Sequence, residues 1–519
     1  MTSDKTILAL DCGTQSFRAL LFSPEGDLLD KARIPYEPYY SEKPGWAEQD
    51  AEIFWKSTCD ACKQLSTTSP ELFGRVAGVG VTTQRNSMVN VDDHGNPLRP
   101  AIIWLDQRKA RQVYIPRGLM KMLYRAVGMQ EAIRKVQTDG KCNWLRQFHL
   151  DVWEKTHKYL QISGFLNYRL TGRFRDSVAS QIGHIPMHYR KLRWCTKREL
   201  NARLFPVEPK KLPELVSPGE LIGTVTEKAS EETGIAQGTP VIACGSDKGC
   251  ETIGMGVLKE NAASLSFGTT ATVQTTTTRY FEPLRFMPSY PAPIPGHYNP
   301  EVEIFRGYWM IAWFKNEFAY REVLRADELG VEPEEVLNDL LAEVPAGSMG
   351  LMVQPYWGPG LKNPSAKGAI IGFGDVHTRA HVYRAVIEGL GYALLDGLHN
   401  MERAGRFRAE RVAVSGGASQ SDQICQITAD IFDLPLLRGK TYETSGLGAA
   451  IVTAVGLGIH PTFESAIDKM VKYDAAFEPN PKNVALYREL YERVYRKMYA
   501  ALRPLYRQAR DITGYPERV

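Results

Sequence analysis

Asp247 stands where a carboxylate can do chemistry. In the stretch Val241 to Gly256, VIACGSDKGCETIGMG, an apolar run of strand length ends on Gly245 and Ser246 and delivers the acid to the start of a helix-like segment. Sites in α/β folds lie beyond the carboxyl ends of such strands, so Asp247 is placed to accept a proton. The same position suits a helix N-cap, a common duty of Asp after a strand. A second acid, Asp11, closes another apolar run in ILALDCGTQSFRALLF, residues 7 to 22, which reads as strand, polar turn, strand. Gly13 lets the backbone approach a ligand, and the hydroxyls of Thr14 and Ser16 with nearby N–H groups suit phosphate oxygens. Asp11 would then hold hydrated magnesium, an ion that prefers carboxylate and water oxygens. An ordinary hairpin turn is the plainer alternative.

Two further strand ends carry polar clusters. Gln84, Arg85 and Asn86 follow VAGVGVTT, and Trp104, Asp106 and Arg108 follow AII. Donors, acceptors and an aromatic wall at two strand ends fit one pocket for a polyhydroxylated ligand, whose hydroxyls need partners once buried. Salt-bridged loop surface is the competing reading. In SLSFGTTATVQTTTT, residues 264 to 278, Gly268-Thr269 echoes Gly13-Thr14, which points to an internal duplication with one Gly-Thr tip per half. Gly416-Gly417-Ala418 separates the apolar run RVAVS from a helix beginning near Ser421, with Ser419 or Ser421 as its cap. Such a turn can set N–H groups and a small-residue wall against a nucleotide, although its spacing is neither GxGxxG nor Walker A.

The elements that must position these residues belong to a long chain. At 519 residues two domains are expected, dividing near Gly256 into 1–256 and 257–519. A formal net charge of +4 with acids and bases interspersed gives no reason to expect nucleic acid or an anionic membrane as partner. No apolar run is long enough to cross a bilayer. The N-terminus MTSDKTILALDCG lacks the basic start and cleavage site of a secretory leader, so a cytoplasmic location is expected. The eight cysteines read as reduced thiols, and the lone CxxC at Cys59 and Cys62 reads as a helix face rather than a zinc site. Asp50 should cap a helix running to about Leu65. Lys109 to Leu170 reads as an inserted helical region, Phe281 to Pro300 as an irregular loop near the cleft, TSGLGAAIVTAVGLG as a closely packed helix, and the last sixty residues as amphipathic helices covering the second lobe.

Taken together the motifs resemble the FGGY family of carbohydrate kinases from Ile7 to about Gly458. The family's C-terminal signature is met by Gly368-Ala369-Ile370-Ile371-Gly372, His381 and Ala385-Val386-Ile387-Glu388, with Phe373 a small departure. Its N-terminal signature is met in part by Lys141, Trp144 and Leu145. The resemblance implies an α/β fold of two actin-like, ribonuclease H-like domains flanking a hinged catalytic cleft. It further implies transfer of the ATP γ-phosphate, with Mg2+, to a hydroxyl of a small sugar or polyol, and a homodimer is a common assembly in the family. Carried over by residue, Asp247 is the catalytic base, and Asp11, Gly13 and Thr14 form the metal and phosphate loop, with Asp247 the second carboxylate at the metal. Gly268 and Thr269 form the second phosphate loop, and Gly416, Gly417, Ala418 and Ser421 the nucleotide turn.

Substrate binding falls to Gln84, Arg85, Asn86, Trp104, Asp106, Asp247 and Lys248. Gln84-Arg85-Asn86 resembles the Gln-Arg-Glu of glycerol kinases with Asn in place of the acid, whereas Trp104-x-Asp106-x-Arg108 resembles xylulokinases. Lys248 stands where those subfamilies have Asn or Gln, and its donor-only ammonium could pair with a carboxylate or phosphate on an acidic substrate. A pentulose is favoured, with glycerol, another polyol or a sugar acid as alternatives. A catalytically silent sugar or nucleotide sensor of the same fold is the rival of a different class. Asp11, Thr14, Asp247 and Thr269 together argue against it, because a silent binder need not keep a base.

Overall fold

Every residue of the first strand, β1 (Thr6–Cys12), is buried, and the two faces alternate: Leu8, Leu10 and Cys12 pack into one apolar layer and Ile7 and Ala9 into another on the opposite side. A strand covered on both faces sits at the centre of a sheet. In the computed structural model, which describes residues 5–126, 129–357 and 366–515, that sheet has six strands. They are β1, β2 (Ser16–Phe22), β3 (Leu28–Pro35), β4 (Val76–Thr83), β5 (Leu221–Thr224) and β6 (Pro240–Ile242), in the order β5-β6-β4-β1-β2-β3. β1, β2 and β3 form an antiparallel meander, β4 and β6 join parallel to β1, and β5 closes the edge antiparallel.

The second sheet repeats this plan. β7 (Ala262–Phe267), β8 (Ala271–Gln274) and β9 (Glu301–Ile304) form the meander. β10 (Arg411–Ser415) and β11 (Leu436–Gly439) run parallel to β7, and β12 (Tyr473–Phe477) is the antiparallel edge. One detail breaks the repeat: β5 precedes its neighbour β6 in the chain, whereas β12 follows β11. Two sheets of like topology bear out the duplication read from the two Gly-Thr tips and the pair of ribonuclease H-like α/β domains.

Helices cover the faces. α1 (Ala51–Thr68) is capped by Asp50, whose carboxylate accepts the Glu52 N–H at 3.0 Å. Cys59 and Cys62 lie buried in this helix, and among the described residues no group of three His, Cys, Asp or Glu could hold a metal. α2 (Asp247–Gly254) carries Asp247 as its first residue. In the second half α3 (Arg379–Gly405) and α4 (Asp422–Phe432) flank the sheet. α5 (Thr444–Gly456) packs instead on the first sheet, where Leu447, Ile451 and Val452 meet Ile7, Ala9, Leu20 and Phe22. It crosses α2 so tightly that a Cβ on Gly448 would lie 1.9 Å from the Cys250 carbonyl oxygen, so only glycine fits. The close-packed helix expected there is found, resting on the first lobe.

Two expectations need correcting. The region 109–170 is mostly helical, but Lys158–Gln161 is a strand paired with Met88–Val91. Its four residues are too few to show a two-residue period between flanking helices. The C-terminal sixty residues likewise contain β12, whose YDAAF sequence has little strand propensity and is held by pairing with β11. No helix among the described residues is long and apolar enough to cross a membrane. Met1 to Asp4, part of the stretch read for a leader, lie outside the described residues.

Candidate active site

Parallel strands end on one edge of a sheet, and three such ends in the first sheet carry candidates. Register pairs Asp11 with Thr82 and Cys12 with Thr83 across β1 and β4, and Thr83 bridges Ser246 just beyond β6. The Gln84 N–H donates to the Cys12 carbonyl at 2.9 Å. Asp11, Gln84 and Asp247 are thereby brought to one edge.

Ser246, not Asp247, is the helix cap. Its Oγ accepts the Gly249 N–H at 3.3 Å, which corrects the capping role expected of Asp247. Asp247 Oδ1 accepts the Lys248 N–H at 2.7 Å, and Oδ2 has no hydrogen bond among the described residues. Burial pushes the Asp247 carboxyl above its usual range, opposed by the cations of Lys248 and Arg85. Asp11 is 2% exposed and accepts from Arg18 at 2.8 Å. Burial pushes it up to about 6, with Arg18 opposing and the charge of Asp247 adding to the rise. Two neighbouring carboxylates, each with an unengaged oxygen, fit magnesium, which takes one or two carboxylates and completes its shell with water and phosphate oxygens.

The Gly-Thr tip of the first lobe is bonded throughout. The Gly13 carbonyl accepts from the Tyr36 hydroxyl at 2.6 Å and the Gln84 amide at 3.1 Å, and its N–H donates to Ser16. The Trp104 indole N–H donates to Thr14 Oγ1 at 3.0 Å, so the expected aromatic wall is tied to the expected phosphate loop. Gln84 also accepts from Ser87 and is 3% exposed, so its amide is spent on framework. Asp106 accepts the Ala47 N–H at 2.7 Å and pairs with Arg108, which lies against the rings of both Trp46 and Trp144 at 3.9 and 4.5 Å. These two side chains are 1% and 2% exposed: they brace the loop that presents Trp104. Asn86 adopts φ +56°, a left-handed conformation that Asn tolerates, and its carbonyl accepts from Lys141 at 2.7 Å. Arg85 crosses to the second lobe, where it pairs with Glu301 and lies over the Tyr290 ring at 5.2 Å. The loop expected near the cleft does line it: Tyr290 stacks there, and Pro293 packs on Gly245 and Gly249.

In the second lobe β7 and β10 pair Ser266 with Ser415, which sets Gly268 beside Gly416. Gly416 has φ +95°, and a Cβ there would lie 2.7 Å from the Phe267 backbone, so glycine is required. Gly417 is exposed with open space above it. Ser421 caps α4 by accepting the Ile424 N–H at 3.3 Å, and the Ala418 carbonyl accepts from the Ser421 N–H. Thr269 is exposed, and its hydroxyl has no hydrogen bond among the described residues.

Polar contacts tie α2 to this second sheet. Lys248 Nζ donates to Glu251 and to Ser266, both at 2.7 Å; Ser415 donates to Glu251; and Thr252 meets Ser264 at 3.1 Å. Lys248 is therefore not the spare cation envisaged for an acidic substrate, since Glu251 neutralises it. Sequence reasoning missed Arg18, Glu251, Glu301 and Glu303. The last two share the face of β9 opposite core-facing Val302 and Ile304, and the alternation in EVEI is the signal that could have found them.

Two α/β lobes of like topology, each with a Gly-Thr tip and the first with acids at the ends of its parallel strands, fit a phosphotransferase class in which a nucleotide and an acceptor meet between the lobes. The family models for the N-terminal and C-terminal domains of the FGGY family of carbohydrate kinases match residues 6–254 and 263–457, and the chain belongs to this family. It is a sugar kinase with ATP as phosphate donor. A xylulose kinase of Staphylococcus epidermidis is 29% identical over 519 residues, covering 98% of this chain and 99% of that one. The crystal structure of xylulose kinase from Rhodospirillum rubrum superposes with a TM-score of 0.81 at 25% identity, over 97% of this chain and 100% of that one. That of gluconate kinase from Lactobacillus acidophilus, at 22% identity and a TM-score of 0.82 over 97% and 99%, shares the fold.

Proposed function

We propose that this chain phosphorylates a hydroxyl of a small neutral sugar, a pentulose such as xylulose, using ATP with magnesium in the cytoplasm. The observation that carries the reading is the setting of Asp247: released from capping by Ser246, it keeps an oxygen free at a helix N-terminus where three strand ends converge. As the acceptor oxygen bonds to the γ-phosphorus, its proton passes to Asp247 and the bond to the β,γ-bridging oxygen breaks, releasing ADP. Bound magnesium, held by Asp11 and Asp247, would neutralise charge on the triphosphate. Thr14 and Thr269 with their glycines hold phosphate oxygens, and Gly417 and Ala418 form the wall against the nucleotide. Trp104, Asn86 and Arg85 border the acceptor, with Gln84 and Asp106 bracing them. In this reading residues 1–256 supply acceptor and base, and 257–519 supply the nucleotide site.

Charge pairing supports a neutral acceptor over a sugar acid. Arg18 faces Asp11, Arg85 faces Glu301, Lys248 faces Glu251 and Arg108 faces Asp106, so each of these cations has a carboxylate before substrate arrives. The test is ADP release with ATP and magnesium against D-xylulose, D-ribulose, glycerol and D-gluconate. Stimulation by a ketopentose is expected. Preference for glycerol or gluconate would replace the acceptor, and intact nucleotide binding with no stimulation by any would favour the silent sensor.

A further inference from the structure

We infer that Glu301, a second-lobe residue, sets the charge class of the acceptor by cancelling Arg85, an inference that rests on the neutral-sugar reading above. Arg85 follows β4 at the acceptor end of the first sheet, and its side chain is 18% exposed. Glu301 is 1% exposed and reaches it from the start of β9, while the Gln274 amide donates to the same carboxylate. The pair joins the two lobes beside the candidate base. Arg85 is fixed further by the Tyr290 ring beneath it.

The guanidinium is the donor in this cleft best shaped for a carboxylate, since its fork matches two oxygens at once. With Glu301 Oε1 on one arm of that fork and Oε2 held by Gln274, an incoming sugar acid must either displace a buried carboxylate or lie beside it. Glu303, on the same face of β9, adds a third acid opposite Asp247 and Arg85. A neutral polyol meets no such penalty and can hydrogen-bond to the outer edges of these groups. Lys248 offers no escape, because Glu251 already balances its charge and Ser266 takes a second of its three N–H donors. The neutral preference of the site is thus written partly in the lobe that binds the nucleotide.

The experiment compares wild type, Glu301→Gln and the double variant Arg85→Gln/Glu301→Gln with D-xylulose and D-gluconate, reading kcat/KM by ADP release and gluconate binding by calorimetry. Glu301→Gln keeps the shape and exposes the Arg85 charge. The expected result is a gluconate-to-xylulose ratio raised about tenfold or more, the scale of one charge-assisted hydrogen bond, with gluconate binding strengthened in step. The double variant returns the ratio to the wild-type level. A gain of gluconate binding cannot come from unfolding, so a merely damaged variant is not mistaken for a positive. If wild type turns over xylulose and Glu301→Gln leaves both ratio and gluconate binding unchanged, the inference falls and the reading stands. If wild type already prefers gluconate, both fall. If wild type turns over neither, the reading falls, and stronger gluconate binding by Glu301→Gln alone still supports the charge gate.

Discussion

The two Gly-Thr tips occupy like places in two sheets of like plan, yet they are held very differently. In the first lobe Gly13 and Thr14 are fixed by Tyr36, Gln84 and Trp104, so the tip is rigid before any ligand arrives. In the second lobe the Gly268 carbonyl accepts from the Tyr308 N–H, and Thr269 stands exposed with no hydrogen bond to its hydroxyl among the described residues. Duplication kept the turn and let its support diverge. The preorganised tip sits with the acids proposed to do the chemistry, where misplacement would be costly. The open tip sits where the proposed nucleotide would enter and leave.

The strongest test of this contrast is Asp247→Asn, which should lower kcat by about 100- to 10,000-fold, the usual worth of a general base, while calorimetry shows nucleotide binding retained. Full activity would remove the first lobe's claim to the chemistry. Next come the two glycines of the proposed nucleotide turn. Gly416→Ala should destabilise the protein by about 1–3 kcal/mol or more in denaturant titration, since its Cβ meets the Phe267 backbone. Gly417→Ala should leave stability unchanged and raise KM for ATP if nucleotide packs there. Third, Thr14→Val strands the Trp104 indole N–H and should cost about 1–3 kcal/mol of stability. Thr269→Val should cost none and act only on ATP affinity. Equal stability losses in the two would break the comparison.

The smallest effect concerns acid stability in the first lobe. His184 packs against Phe205, and burial together with the cation of Lys141 holds its pKa down to about 4, with Asp139 opposing and Lys135 and Lys109 adding to the drop. The unfolded chain binds a proton near 6.5 and the folded one does not, so stability conferred above 6.5 is lost as pH falls toward 4. His184→Gln should flatten the melting temperature between those values.

Much of the fold was legible because short-range signals marked it. The hairpin at Asp11 to Ser16, the cap at Asp50 and the turn at Gly416 each announce themselves within a few residues. What escaped depends on partners far along the chain. Lys158–Gln161 is a strand only because Met88–Val91 lies beside it, and β12 only because β11 does. In the candidate site, residue types at strand ends identified Asp11 and Asp247, but not what their neighbours were already holding. That Gln84 and Asp106 brace the framework, and that Lys248 answers to Glu251, follows from contacts no local pattern encodes.

The placement of α5 bears on how the chain comes off the ribosome. Ile7, Ala9, Leu20 and Phe22 are made long before the helix that covers one face of their sheet, which ends at Gly456. Until α5 is made that face has no lid, although the opposite face can close on α1, which ends at Thr68. Domains usually fold as they emerge, N-terminal first. Here one apolar face of the first lobe stays open to water until α5 has been made, so that lobe cannot close on its own sequence alone.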